Sequence, residues 1–212
     1  MKNKYKLICF DLNKTLIVEN SWSVLNTALG ITKEEDQRML NLYCSGQISY
    51  QQWQRRLEKY YLKSRKANKR YITNILTNYT YLPGVLETVK YLMNKNYNIC
   101  LISGAPDIVV KKVAEELNIK YWFSNNNLIF NKDNTLKRID VIDDEVAMKK
   151  QTIIELCNIL KIKPQECVCV GDGDNDIGIF ELTKHGITFP NSKIVKYAWK
   201  VVTDLSELKV IL

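Results

Sequence analysis

Leu7-Ile8-Cys9-Phe10-Asp11-Leu12-Asn13-Lys14-Thr15 sets four apolar residues without alternation ahead of an abrupt run of polar chemistry. A strand with one wet face alternates, whereas a continuous apolar run marks a strand covered on both faces, as parallel strands under helices are. The pattern recurs at Ile99-Cys100-Leu101-Ile102, followed by Ser103-Gly104, and at Cys167-Val168-Cys169-Val170, followed by Gly171-Asp172-Gly173-Asp174-Asn175-Asp176. Helical patterns separate these runs. Together they predict a Rossmann-like, doubly wound α/β fold with a parallel sheet.

The segments between the runs carry their own punctuation. Ser21 precedes Trp22-Ser23-Val24-Leu25, while Thr32-x-x-Glu35 and Ser49-x-x-Gln52 have the spacing of capping boxes, with Gly30 and Gly46 as stops. Residues 18–80 are therefore expected to form a small helical cap inserted after the first strand, in a core of residues 1–17 and 81–212. Pro83-Gly84 begins an amphipathic helix feeding the Ile99 strand, and another helix follows Pro106. Tyr121 to Ile142 reads as a β-hairpin, and a helix from about Val146 to Leu160 leads into the Cys167 strand.

The chain has 212 residues, enough for one α/β domain with an insert, and its 46% apolar and 25% charged residues exclude a disordered or low-complexity protein. A formal charge of +8 suits an anionic partner without choosing among phosphate, nucleic acid and membrane surface. Arg55, Arg56, Lys59, Lys63, Arg65, Lys66, Lys69 and Arg70 interleave with Tyr60, Tyr61 and Tyr71. That is the makeup of a solvated helix face more often than of a nucleic-acid groove, so no nucleic-acid partner is expected. The six cysteines form no C-x-x-C pair and lie mostly in apolar runs, which points to reduced, cytoplasmic surroundings. No apolar stretch approaches a membrane span, and Leu7 to Phe10 is too short for the core of a signal peptide. His185 is read as structural. Trp22 and Trp53, at helical spacing in the cap, are read as cap core or as pocket lining.

Ligands of open parallel sheets bind outside the carboxyl ends of the strands. That edge would gather Asp11, Asn13 and Thr15, then Ser103 and Gly104, then Asp172, Asp174, Asn175 and Asp176, with the start of the Lys149-Lys150 helix beside them. Carboxylates brought so close repel, and a hard divalent cation, Mg²⁺ first, is the remedy their oxygens favour. Ser103, Thr15, backbone N–H groups around Gly104 and a lysine are donors suited to a phosphoryl group beside that metal.

The order and type of these residues resemble the haloacid dehalogenase superfamily, whose phosphatases carry D-x-D-x-T, a Ser or Thr after the second strand, a Lys, and G-D-x-x-x-D. Here they stand as Asp11-Leu12-Asn13-Lys14-Thr15, Ser103-Gly104, Lys150 and Gly171 to Asp176, and the insert is similar to the C1-type cap of the phosphoserine-phosphatase-like branch. The resemblance implies a Mg²⁺-dependent phosphate-monoester hydrolase acting on a small phosphorylated metabolite through an aspartyl phosphate on Asp11. It implies metal ligation by Asp11, the Asn13 backbone carbonyl and Asp172, with Asp176 binding through metal waters or orienting a neighbour. Ser103 and a lysine would neutralise the phosphoryl oxygens, and Thr15, Gly104 and Asn175 would help to bind them. Lys150 is preferred to Lys149 because Ile153, Ile154, Cys157 and Leu160 follow it at helical spacing.

Asn13 departs from that pattern. The resemblance gives its position the acid that protonates the leaving oxygen and then activates water, which an amide cannot do; such catalysis is typically worth ~10²–10⁴ in rate. Binding is expected to persist while turnover falls, and a phosphate-ligand binder or sensor on the same fold is the alternative. In the cap, Arg55 falls where the branch grips a substrate carboxylate, and Asn20, with Glu19 beside it, stands where the branch has a glutamate for an ammonium group. Phosphoserine specificity does not follow from these residues.

Overall fold

The computed structural model describes residues 4–142 and 144–212. β1 (Leu7–Phe10), β2 (Asn98–Pro106), β3 (Tyr121–Phe130), β4 (Leu136–Val141), β5 (Cys167–Val170), β6 (Gly186–Thr188) and β7 (Lys200–Val201) form one sheet in the order 4-3-2-1-5-6-7. Every neighbouring pair is parallel except β3 and β4, the expected hairpin. The three apolar runs are the three central strands, so the doubly wound sheet read from them is the observed one.

The helices are α1 (Ser21–Ala28), α2 (Lys33–Cys44), α3 (Tyr50–Lys63), α4 (Lys69–Leu76), α5 (Val85–Asn94), α6 (Asp107–Glu116), α7 (Glu145–Leu160), α8 (Ile177–Thr183) and α9 (Leu208–Ile211). Both anticipated capping boxes close, at Thr32 with Glu35 and at Ser49 with Gln52. The segment of α1 to α4 between β1 and α5 is closed at its two ends by a short ladder. Ile17 pairs with Tyr81, Val18 N donates to Thr80 O at 2.9 Å, and Leu82 N donates to Leu16 O at 2.9 Å.

Alternate residues of a strand point to opposite faces, and each face of the sheet has its own apolar layer. Ile8, Phe10, Ile99, Leu101, Val168 and Val170 pack with Val89 and Leu92 of α5 and Val109 and Val113 of α6. Leu7, Cys9, Cys100, Ile102, Cys167 and Cys169 pack with Ile153 and Leu156 of α7 and Phe180 of α8. Full burial of a side chain such as Phe10 or Leu101 contributes roughly 1.5–3 kcal/mol before the entropy of ordering is counted. All six cysteines are free thiols; five are buried and Cys44 is exposed. His185 is edge-on to Tyr5 and Trp199, at ring-centroid distances of 4.8 and 5.0 Å. Among the described residues, no helix is long and apolar enough to cross a membrane.

Candidate active site

The carboxyl ends of β1, β2 and β5 converge because the strands are parallel and in register, Phe10 lying between Leu101 and Val170. Asp11 N donates to Val170 O at 2.9 Å and holds the first loop against the third. Asp11, Asp172 and Asp176 each place a carboxylate oxygen within 4.8 Å of the others. Glycine makes this approach possible: a Cβ on Gly171 would lie 2.3 Å from the Asp176 carboxylate.

Lys149 lies under these acids with no exposed surface. Its Nζ donates to Asp11 Oδ1 at 2.8 Å and to Asp176 Oδ1 at 2.7 Å. Burial opposes its charge, but Asp11, Asp176 and Glu145 outweigh burial and hold the ammonium above its ordinary value. One cation does not balance the acids. Burial, with the charge of Asp11, pushes Asp172 up to about 6, and burial also raises Asp176 against the pull of Lys149. Clustered oxygen donors with surplus negative charge fit a hard divalent cation, so the residues present suit Mg²⁺.

A cavity of about 230 Å³ opens over this cluster, lined from the core by Asp11, Asn13, Lys14, Ser103, Gly104, Glu145, Asp172 and Asn175, and from the cap by Asn20, Trp22, Tyr50, Trp53 and Gln54. Asn13 Oδ1 accepts from Ser21 N at 3.1 Å, tying the first loop to α1, and Asn20 both lines the cavity and caps α1 through Ser23 N. Ser103 Oγ accepts from Ala105 N at 3.2 Å. Cap and core also meet at Gly104 O, which accepts from Trp22 Nε1 at 2.9 Å and from Asn126 Nδ2 at 2.7 Å. Asn126 Nδ2 donates to Tyr50 Oη as well, at 3.0 Å.

Four expectations are corrected here. Lys149, not Lys150, reaches the acids. The buried stripe of α7 is Met148, Lys149, Thr152, Ile153, Leu156 and Cys157, whereas Ile154, counted toward the other register, is exposed. Lys150 packs its aliphatic stem beside Gly178 on α8. Arg55 is exposed and lines an adjoining hollow with Glu58, Ile139 and Asp140, beyond Gln54, because α3 turns residues 50 and 53 toward the cavity and position 55 away. Glu19 accepts from Thr80 N at 2.9 Å, at the junction of cap and core, and does not line the cavity. Thr15 lies beneath the loop, fully buried with its hydroxyl unpartnered, because Lys14 takes a left-handed φ of 56° and turns the chain inward.

The family model of haloacid dehalogenase-like hydrolases matches residues 5–181. The chain belongs to that family. A phosphoserine phosphatase of Methanocaldococcus jannaschii is 28% identical over 215 residues, covering 100% of this chain and 98% of its own. Another, from Lactococcus lactis, is 30% identical over 124 residues, 58% of this chain and 57% of its own. A solved phospho-aspartyl intermediate analogue of phosphoserine phosphatase superposes with a TM-score of 0.82 at 28% identity, covering 99% of this chain and 100% of that one. A substrate-bound phosphoserine phosphatase does so with a TM-score of 0.82 at 27% identity, covering both chains in full. The likeness runs to the phosphoserine-phosphatase-like branch.

In this haloacid dehalogenase-like hydrolase the cavity also holds residues that sequence reasoning passed over. Glu145 begins α7, and an acid in a helix's first turn reads as ordinary dipole pairing; here its Oε1 accepts from Asn175 Nδ2 at 2.6 Å inside the cavity. Burial, partly offset by Lys149 and reinforced by Asp11, raises its pKa above the usual carboxylate value. Tyr50 and Gln54 share a face of α3 with Trp53 and line the cavity beside it.

Proposed function

We propose that this chain is a Mg²⁺-dependent phosphate-monoester hydrolase acting on a small phosphorylated metabolite, with Asp11 as nucleophile. The observation that carries the reading is the fixed triad of Asp11, Lys149 and Asp176 beside Asp172 on the cavity floor. Lys149 donates to Asp11 Oδ1 and holds the carboxylate, the group that attacks phosphorus, in one orientation. A carboxylate oxygen of Asp11 would bond to phosphorus as the ester P–O bond breaks, giving an aspartyl phosphate and an alkoxide that takes its proton from water. Ser103 and Lys149 supply donors to the phosphoryl oxygens, where most phosphoryl-transfer catalysis resides. Mg²⁺ held by Asp11, the Asn13 carbonyl and Asp172, with Asp176 behind them, would add positive charge at those oxygens.

Asn13 supports slow turnover. Its amide cannot protonate the departing alkoxide or take a proton from water, so both formation and hydrolysis of the aspartyl phosphate lack general acid-base help. The same residue favours a second reading, a phosphate-ligand binder. Phosphate release from a panel of small phosphomonoesters, with and without Mg²⁺, separates the two. Mg²⁺-dependent release supports the hydrolase, and tight binding without release supports the binder.

A further inference from the structure

Glu145 occupies ground that a phosphoryl group beside Asp11 would need. Its carboxylate holds the Asn175 amide at 2.6 Å and the Gly104 backbone N–H, and it lies so close that a Cβ on Gly104 would fall 2.1 Å from Oε1. Phosphoryl oxygens compete for the same donors, and two anions cannot share them. For phosphate to enter, the carboxylate must leave those donors, and it needs a cation to go to.

The cavity offers it few. Among the described lining residues the cationic side chain is Lys14; Lys149 is engaged below with Asp11 and Asp176, and Arg55 is outside. The facing wall is aromatic, made by Trp22, Tyr50 and Trp53, with Trp53 stacked on Tyr43 at 5.1 Å and Tyr50 edge-on to Trp53 at 5.9 Å. Gln54 stands among them with its Oε1 buried and unpartnered. Ring faces, a free carbonyl oxygen and a carboxylate together suit an ammonium group. A substrate carboxylate would be repelled by Glu145 and the ring faces, and would have to compete with Glu145 for Lys14. The glutamate is near enough to this wall that its charge, after burial, helps raise the pKa values of Tyr43 and Tyr50.

We propose, resting on the phosphatase reading above, that Glu145 determines specificity and selects phosphomonoesters of amino alcohols that carry no carboxylate. The phosphoryl group takes the Gly104 and Asn175 donors, and the substrate's own ammonium takes the released carboxylate. An ester without a cation must displace Glu145 uncompensated.

Phosphoethanolamine, propyl phosphate and phosphoserine test this, since they present the phosphoryl group with an ammonium, with neither charge, and with an ammonium plus a carboxylate. KM and kcat are measured with Mg²⁺ on the full chain and on Glu145→Gln and Glu145→Ala, and inorganic phosphate binding is measured by calorimetry. The unaltered chain should favour phosphoethanolamine over propyl phosphate by about tenfold or more in KM. Both variants should bind phosphoethanolamine more weakly, and should bind propyl phosphate and inorganic phosphate more tightly. Opposite signs within one variant are the signature, because a site merely damaged weakens every ligand. Equal KM values in the unaltered chain, weakening of all ligands in both variants, or phosphoserine outranking phosphoethanolamine would each overturn the proposal. If propyl phosphate is hydrolysed with no ammonium preference, the phosphatase reading stands and this inference falls. If no ester is hydrolysed and phosphate does not bind, both fall.

Discussion

Asn13 can become a carboxylate without disturbing its surroundings, since Asp would accept the same bond from Ser21 N. Asn13→Asp should therefore raise turnover of an alkyl phosphate by up to ~10²–10⁴ with little change in binding; an unchanged rate on every ester would remove the missing acid as the cause of slow turnover. Asp11→Ala should abolish Mg²⁺-dependent phosphate release, and substantial residual turnover would place the nucleophile elsewhere. The lysine assignment has a sharp contrast. Lys149→Met strands two buried carboxylates and should destabilise the fold by about 3–5 kcal/mol as well as stop turnover. Lys150→Met should shift stability by about 0.5 kcal/mol or less. Chemical denaturation of both variants checks this, and equal losses would refute it. These residues also show the limit of sequence reading. Asp11, Ser103, Gly104, Asp172, Asn175 and Asp176 follow strands, where position along the chain fixes position in space. Lys149 and Gln54 sit on helices, where each step of one residue turns a side chain by about 100°. The neighbours Lys150 and Arg55 fitted residue type and approximate place, yet both point elsewhere.

Strands, cap helices and hairpin were legible because each carries a local signal: continuous apolar runs, capping boxes, and a turn of Asn131 to Asn134 between apolar arms. What the signals could not give is which face of a cap helix meets the core, since that depends on contacts such as Ile139 N donating to Glu58 at 2.7 Å across distant sequence. The start of α3 matters most to the site, because Tyr50, Trp53 and Gln54 follow directly from its cap. Ser49 Oγ accepts from Gln52 N at 3.2 Å, and Gln52 Oε1 accepts from Ser49 N at 2.9 Å. Ser49→Ala should cost ~0.5–2 kcal/mol of local stability. Hydrogen exchange at the Gln52 amide should quicken accordingly; exchange no faster than in the unaltered chain would show that packing, not the capping box, fixes this end.

Across the whole molecule, the acids at the sheet edge make stability depend on pH and metal together. The carboxyl of Asp172 is raised from 3.8 to about 6 in the fold. Between those values the folded chain binds more protons than the unfolded one, so metal-free stability should fall as pH rises through that window, with the full cost above about 6. The proposed Mg²⁺ would bind the ionised acids, so adding it should raise Tm, more at neutral pH than in mildly acidic buffer. A Tm increment that is absent, or largest in acid, would argue against a cation at Asp172. The placement of the cysteines gives the chain a built-in clock. Cys44 lies on the surface, while Cys9, Cys100, Cys157, Cys167 and Cys169 line one face of the sheet and the helix above it. An alkylating reagent should mark one sulfur at once and the other five together, at the rate at which the sheet comes apart. Mass spectrometry of the labelled chain would then time global opening without any introduced probe, and binding of a cation or a phosphate ester would register as a delay in that second wave.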